Sequence, residues 1–482
     1  MIVNSMINLV LILPLVFCFV LFLFKNKTLN NLLITLYSLV HLSLGVCYFI
    51  KPEALIGNSY FILNSTNIIF YLVLSVIFLC VAIYNNGYSR NLYDKFSVKK
   101  MTLYAVMVLA FVLSMTGGIL ASNLGLAWIF IEGTTLASAY LIYFNKTKHS
   151  IEAAWKYVFI CSIGIALAFV GIILLTIATG AQNSLNYADL INNASSYNHF
   201  WLNVSFVLIL FGIGTKMGLA PVHFWLPDAH SQAPSPISAL LSATLLNCAF
   251  LIILNVYRVM IAANCVACAR IMLLFMGFLS LFITSVFLYH ATNYKRMLAY
   301  SSIENMGILA IATALGGIAY YALFIHLIGH SLIKASFFLT SGNILELFET
   351  KRIKSINLLG QIDKKTAWLW IFSFLGICAF PPSMLFISEF MIVKAFIMQH
   401  HYILCVLFLF LLTIILFAMA RVVIKMVYGE KHGEKFEIAK NNIKKITISM
   451  YIPQIFMLIC AFTLGLYIPQ FLEVIIKNSI IG

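Results

Sequence analysis

The chain has 482 residues, of which 30 are Lys or Arg and 15 are Asp or Glu, for a formal net charge of +15; 62% are apolar and only 9% are charged. A soluble domain carries roughly a quarter charged residues, and a sphere of this size cannot hide so much apolar surface. With a mean hydropathy of +1.01, a cytoplasmic globular enzyme, a disordered chain and a free nucleic-acid binder are excluded, and an all-α polytopic membrane protein remains.

Apolar runs of bilayer-crossing length recur along the chain. They predict spans near 3–24, 29–50, 60–84, 101–119, 122–145, 153–179, 203–226, 235–257, 268–290, 297–316, 318–343, 367–398, 402–428 and 446–470, fourteen in all. The first has no basic residue ahead of it and is followed by Lys25 and Lys27, so it reads as a retained helix rather than a leader. With the N-terminus outside, twenty-two of the thirty basic residues fall in inside loops, among them Lys295, Arg296, Lys351 and Lys431. Only Lys51, Arg258, Arg270 and Lys477 fall outside. That bias predicts an even number of spans with both termini outside. Clustering of the cations between apolar runs also argues against a nucleic-acid-binding stripe. The chain divides into a three-span segment (1–100), a core (101–400) and C-terminal spans (401–482) that include the end of a second repeat.

The four remaining basic residues, Lys156, Lys216, Lys334 and Lys394, lie inside spans. A charge at the centre of a span costs about 2.5–3.5 kcal/mol on insertion scales, so a chain that keeps several must pair them or hydrate them, and an ion or proton path is the default reading. Glu132 lies mid-span in LAWIFIEGTTLASAYL. Lys216 lies in LILFGIGTKMGLAPVHFWLPDAH, where Gly218, Pro221 and Pro227 predict a helix broken near its middle. Broken helices are tolerated in a bilayer only where they line a cavity or are buried in protein. His326, His330 and Lys334 recur at i, i+4 and i+8 and share one helix face, about 6 Å apart along the axis. Imidazole takes and gives protons near neutrality, so this stripe reads as a proton wire; the absence of a third ligand speaks against zinc. Glu389 follows a second break at Pro381 and Pro382. Lys394 beyond it reads equally as a pathway residue or an interface anchor. Lys156 follows Glu152 by four residues, a helix-face pair, and Glu304 stands two turns beyond Arg296 with either role open.

The broken spans are the seventh and twelfth, five positions apart, and therefore run in opposite directions. Paired broken helices of opposite orientation predict inverted five-helix repeats near spans 4–8 and 9–13. The ten Cys are scattered; Cys265 and Cys268 form one CxxC with no second pair or nearby His to complete a metal site. No cluster-ligating motif or dinucleotide-binding fingerprint is present, so no cofactor is expected in this chain.

The stretch GIGTKMGLAPVHFWLPDAHSQAPSPISALLS resembles the core motif of the antiporter-like proton-translocating subunits of respiratory complex I and membrane-bound hydrogenases. EGTTLASAYLIYF, EAAWKYVFICSIGIALAFVG, YKRMLAYSSIENMG, HLIGHSLIKASFFLTSGNI and PPSMLFISEF extend the likeness in the family's order over about 100–400. The forms EGTTLAS, EAAWKYV and AYSSIENMG are most similar to the hydrogenase-4 component F branch. The resemblance implies that Glu132 pairs with Lys216, that His326, His330 and Lys334 form a central hydrated axis, that Glu389 ends the second half-channel, and that Lys156 fills a recurrent basic position. It departs from the family in span 8, where Ser242 and Asn247 stand in place of a Lys or His. An amide there can orient water but cannot carry the charge. The implied partners are other membrane subunits of a respiratory or hydrogenase complex, the lipid bilayer, and protons with sodium as the other candidate ion, in a bacterial or archaeal inner membrane. Electrons would belong to partner subunits. A stand-alone cation/proton antiporter and a structural anchor with vestigial charges are the alternatives.

Overall fold

The computed structural model describes residues 2–50, 56–180, 184–429 and 435–480. Lys51 and Lys431, counted in the charge bias, lie outside the described residues.

With no water in a bilayer core, every backbone N–H and C=O must be satisfied internally, and a helix does this within one segment. Among the described residues thirteen helices are long and apolar enough to cross a membrane. In chain order they begin with α1 (Ile2–Leu23), α2 (Lys27–Ile50), α3 (Ser65–Tyr93), α4 (Val98–Leu120), α5 (Leu124–Tyr143) and α6 (Lys148–Thr179). The seventh passage is broken into α7 (His199–Met217) and the short α8 (Leu226–Gln232). Then come α9 (Ser235–Ala262), α10 (Ala267–Tyr289), α11 (Tyr294–Leu315) and α12 (Ile318–Phe348). Helices α13 (Lys364–Ile377) and α14 (Met384–Met398) flank the second break and are each too short to count as a span. The chain closes with α15 (Tyr402–Tyr428), α16 (Ile448–Leu466) and the amphipathic α17 (Gln470–Ser479). A small antiparallel hairpin pairs Ile56 with Leu63, and Ser122 N–H donates to Tyr60 O beside it.

Asn and Thr mark several starts. The side chains of Asn64, Asn123, Asn198 and Asn293 each accept from two backbone N–H groups of the helix they precede, and Thr147 accepts from Ser150. The Thr147 cap explains why α6 starts before the expected 153. Helix α3 runs on to Tyr93, past the expected 84, because its extra turns are held by polar contacts: Tyr104 Oη donates to Asn85 Oδ1 and Asn91 Nδ2 to Lys445 O.

The apolar windows of α9, α11 and α12 are 100% buried, whereas those of α1 and α15 are 28% and 33% buried. Three helices thus form a core sealed from lipid, and α12 carries the His–His–Lys stripe. Two cations in the charge count sit elsewhere than expected. Lys295 is no loop residue: it lies in the first turn of α11, fully buried, with Nζ donating to Ala233 O at 2.9 Å. Arg258 belongs to α9, where it binds Thr66 Oγ1 at 2.7 Å and Ser479 O at 2.8 Å, tying α17 to the bundle.

Candidate functional site

The first break ends α7 at Gly218, whose φ of +79° is left-handed; a side chain there would be strained, and its Cβ would meet Leu226. The freed backbone groups find partners. Gly218 N–H returns to Gly214 O, Trp225 Nε1 donates to Thr215 O at 2.7 Å, and Ser280 Oγ accepts from Ala220 N–H at 2.9 Å. This holds Lys216 in the last turn of α7, fully buried, beside carbonyls whose partial negative charge favours a cation.

Lys216 does not meet Glu132. Its Nζ donates to Tyr157 Oη at 2.8 Å and sits 4.6 Å from that ring's centre. Tyr157 also bonds Ser138 Oγ at 2.6 Å and packs on Trp225. Glu132 is half-buried and accepts from Thr135 Oγ1 at 3.1 Å. No ion pair joins it to Lys216 among the described residues, although the two interact electrostatically.

The stripe on α12 is wholly buried. The rings of His326 and His330 lie parallel, 6.5 Å apart. His326 bonds Ser388 Oγ through Nδ1 at 2.9 Å and Asn305 Oδ1 through Nε2 at 3.1 Å. Asn305 Nδ2 donates to Ser301 O, which fixes the amide so that Oδ1 faces the imidazole. Ser388 Oγ also lies 2.8 Å from Leu385 O. This arrangement serves both charge states of His326. The neutral ring accepts the Ser388 proton at Nδ1. The cation donates from Nδ1 while the Ser388 hydroxyl turns to Leu385 O. Among the described residues neither nitrogen of His330 has a hydrogen-bond partner of good geometry. Lys334 Nζ donates to Leu298 O and Ser301 Oγ, both at 2.7 Å.

Helix α9 lies against this stripe and contains one π-helical turn, Leu241–Leu245, a device frequent at functional sites. Ser242 in that turn bonds Ser302 Oγ at 2.8 Å. Asn247 Nδ2 donates to Ala243 O and to Ser331 Oγ, and its Oδ1 has no partner among the described residues.

A cleft of about 660 Å³ opens at the end of the bundle that carries the basic loops. Lys156 lies at its mouth with its side chain 45% exposed, pairing with Glu152 at 2.6 Å and Asp228 at 3.1 Å; Arg296 also reaches Asp228 at 3.1 Å. Lys351 on the wall donates to Gln232 Oε1, and burial lowers its ammonium to about 8. A second cavity, of about 310 Å³, lies beside the α13–α14 break and is lined by both Glu304 and Glu389. Glu304 is buried and Glu389 half-buried. Lys394 is exposed on the outer face of α14 and belongs to neither cavity.

The structure therefore brings His326, His330, Lys334 and Asn247 together and places Glu389 with Glu304. It places Lys156 at a cleft mouth and Lys394 on the surface, positions that favour the helix-face pair and the anchor among the roles left open. Sequence reasoning missed Tyr157, which an apolar pattern absorbs as one more aromatic, although it directly follows the Lys156 that was singled out. His230 was also missed. It is fully buried on α8, stacks on Phe338 at 5.0 Å, has no hydrogen-bond partner of good geometry for either nitrogen among the described residues, and feels the charges of Lys334 and Lys295.

A family model described as NADH:quinone oxidoreductase/Mrp antiporter, TM, matches residues 121–416. The hydrogenase-4 component F homolog of Methylacidiphilum infernorum (isolate V4) is 32% identical over 425 residues, 86% of each chain. A chain of the membrane-bound sulfane sulfur reductase, described as an archaeal respiratory membrane complex, superposes with a TM-score of 0.86 at 22% identity, over 98% of this chain and 96% of that one. A chain of the Mrp complex from Dietzia sp. DQ12-45-1b gives 0.86 at 17% identity, over 99% and 97%. At such identities the two structures speak for the fold alone.

Proposed function

Because this chain belongs to the NADH:quinone oxidoreductase/Mrp antiporter family of membrane proteins, we propose that it carries protons across a membrane along a buried Glu/Lys/His relay, as one subunit of a larger redox complex. The observation that carries this reading is the fully buried file His326–His330–Lys334, whose holders are hydroxyls, an amide and carbonyls. A structural tether needs one fixed hydrogen-bond pattern. The His326 site accommodates two, differing by the rotation of one hydroxyl.

In this mechanism a proton enters at the cleft of Asp228 and passes the buried Lys295 and His230 to Lys334. Lys216 keeps its proton while the charge of Glu132 is near and gives it up when a neighbouring subunit draws Glu132 away. The α12 stripe passes the charge to Glu304 and Glu389, whose shared cavity is the exit side. The ion is the proton, no cofactor is held by this chain, and the electron-carrying partners are membrane subunits of a hydrogenase-4-like or NADH:quinone oxidoreductase-like complex in an inner membrane.

We also read the α13–α14 pair as a fourteenth passage and the core as two inverted repeats. Matching local geometry supports this. Asn123 and Asn293 both cap a helix and both bridge to a strand-like residue after the next helix, Asn186 and Arg352 respectively. At the breaks, Gly218 and Ala379 both have positive φ, and the following residues, Leu219 and Phe380, bond back to Gly214 O and Leu375 O at 3.0 and 2.9 Å.

The test is Lys216→Ala in the assembled complex, with proton pumping measured apart from electron transfer. Pumping should stop while the complex still assembles. Unchanged pumping would end the relay reading, and cation exchange by the purified chain alone would favour a stand-alone antiporter.

A further inference from the structure

On the basic-loop half of the bundle, apart from the Asp228 cleft, α3 and α12 enclose a second polar cluster. Glu346 lies in the last turn of α12, only 6% exposed, and accepts from Asn91 Nδ2 at 3.2 Å. The charges of Lys95, Lys445 and Glu349 act on it from the surface, and its own charge acts on Tyr84, Tyr88 and Tyr294. The rings of Tyr84 and Tyr88 stand 5.8 Å apart on α3. Tyr84 Oη lies 3.1 Å from both Asn343 Oδ1 and Leu339 O. Asn343 Nδ2 and Ser235 Oγ are buried with no protein partner among the described residues.

Gly342 makes this convergence possible. A Cβ there would collide with Tyr84 Oη and with Ser235 Cβ, so only a residue without a side chain lets Tyr84 reach Leu339 O and lets Ser235 pack beside it. Ser235 opens α9 and lies next in space to the α8 segment. Ser238 Oγ donates to His230 O, and Lys295 Nζ donates to Ala233 O. His230 itself is buried, and among the described residues neither of its nitrogens has a hydrogen-bond partner of good geometry. A carboxyl, phenols, an amide and a hydroxyl in one buried file, two of them with orphan polar atoms, are unfavourable as mere packing.

We propose that Glu346, Tyr88, Tyr84, Asn343 and Ser235 form a second proton inlet, leading from the surface at Asn91 and Lys445 to His230 and independent of the Asp228 cleft. The inference rests on the relay reading. Glu346 collects a proton from bulk water. Each hydroxyl along the file takes one proton and gives one up, with bound water spanning the steps between Asn343, Ser235 and His230.

The test uses the assembled complex in liposomes, with electron-transfer-driven proton pumping followed at several pH values of the basic-loop side. Glu346→Gln and Tyr84→Phe should slow pumping several-fold at alkaline pH, where proton supply limits the rate, and little at acidic pH. Glu346→Asp, or a small permeant weak acid added to the Gln variant, should restore much of the rate. A structural defect would not respond to the weak acid. If both variants pump normally at every pH while Lys216→Ala stops pumping, the inlet is refuted and the relay stands. If Lys216→Ala pumps normally too, the relay falls and takes the inlet with it.

Discussion

Lys216 and Tyr157 meet ammonium to phenol at 2.8 Å, with the cation 4.6 Å from the ring centre. The buried lysine is held by a neutral oxygen, and its counter-charge on Glu132 stays beyond ion-pair reach. A phenol can hold the ammonium without neutralising it, which leaves the more distant carboxylate free to tune it by a small displacement.

Replacing Tyr157 by Phe keeps the ring and removes that oxygen. A hydrogen bond to a charged group contributes about 1.5–3 kcal/mol, so Tyr157→Phe should slow pumping about tenfold or more with assembly preserved. Pumping rate per electron transferred, measured in proteoliposomes, checks this. A native rate would mean that Lys216 works without the phenol.

His326→Gln retains hydrogen bonding toward Ser388 and Asn305 but cannot hold a proton of its own. Pumping should be lost while the stability of the purified complex, followed by thermal melting, changes by no more than about 1 kcal/mol. Ser388→Ala removes only the rotating hydroxyl and should be milder, a few-fold in rate. Equal loss in both variants would place the fault in packing rather than in protonation.

Lys394 is exposed, and Lys156 forms open ion pairs at a cleft mouth. Exposed pairs are worth about 0–1 kcal/mol. Lys394→Ala should leave pumping unchanged. Lys156→Ala should lower it less than twofold, and the difference should shrink in high salt. Abolished pumping in either variant would return that residue to the pathway.

Lys351 lies outside the spans, and burial lowers it from 10.5 to about 8. Between those values the unfolded chain binds the proton and the folded chain does not, so stability rises with pH through that window, and the cost of burying the cation is fully present below pH 8. Lys351→Met should therefore raise the melting temperature at pH 7 and lose that advantage near pH 11. The same gain at both pH values would assign the effect to packing.

Much of the architecture is legible in the chain because a bilayer leaves few choices. Long apolar runs must be helices, and Pro221 and Pro382 must interrupt them. The stripe was legible because charged and imidazole side chains stand out against an apolar run at helical spacing. Tyr157 and His230 were hidden for the opposite reasons. A tyrosine blends into an aromatic-rich span, and His230 follows the break, where no periodicity assigns it a face. Lys295 was misplaced and the role of Lys394 stayed open because depth in a bundle depends on which neighbours cover a helix end, and hydropathy along one chain does not contain that. The tyrosine cluster against Gly342 was invisible too, since Tyr84 and Gly342 are brought together only by the packing of α3 on α12.

Asn247 and Ser242 have one more consequence. Neither side chain can store charge, so in the proposed relay these two positions would give a travelling proton no resting place between the halves. Under a standing voltage, a proton slipping backwards would have to cross that wall in a single passage, with a donor loaded on one flank and an acceptor empty on the other. In that relay a titratable side chain would be a stepping stone in both directions, whereas the amide would make the wall an insulator that conducts only when both flanks are set at once.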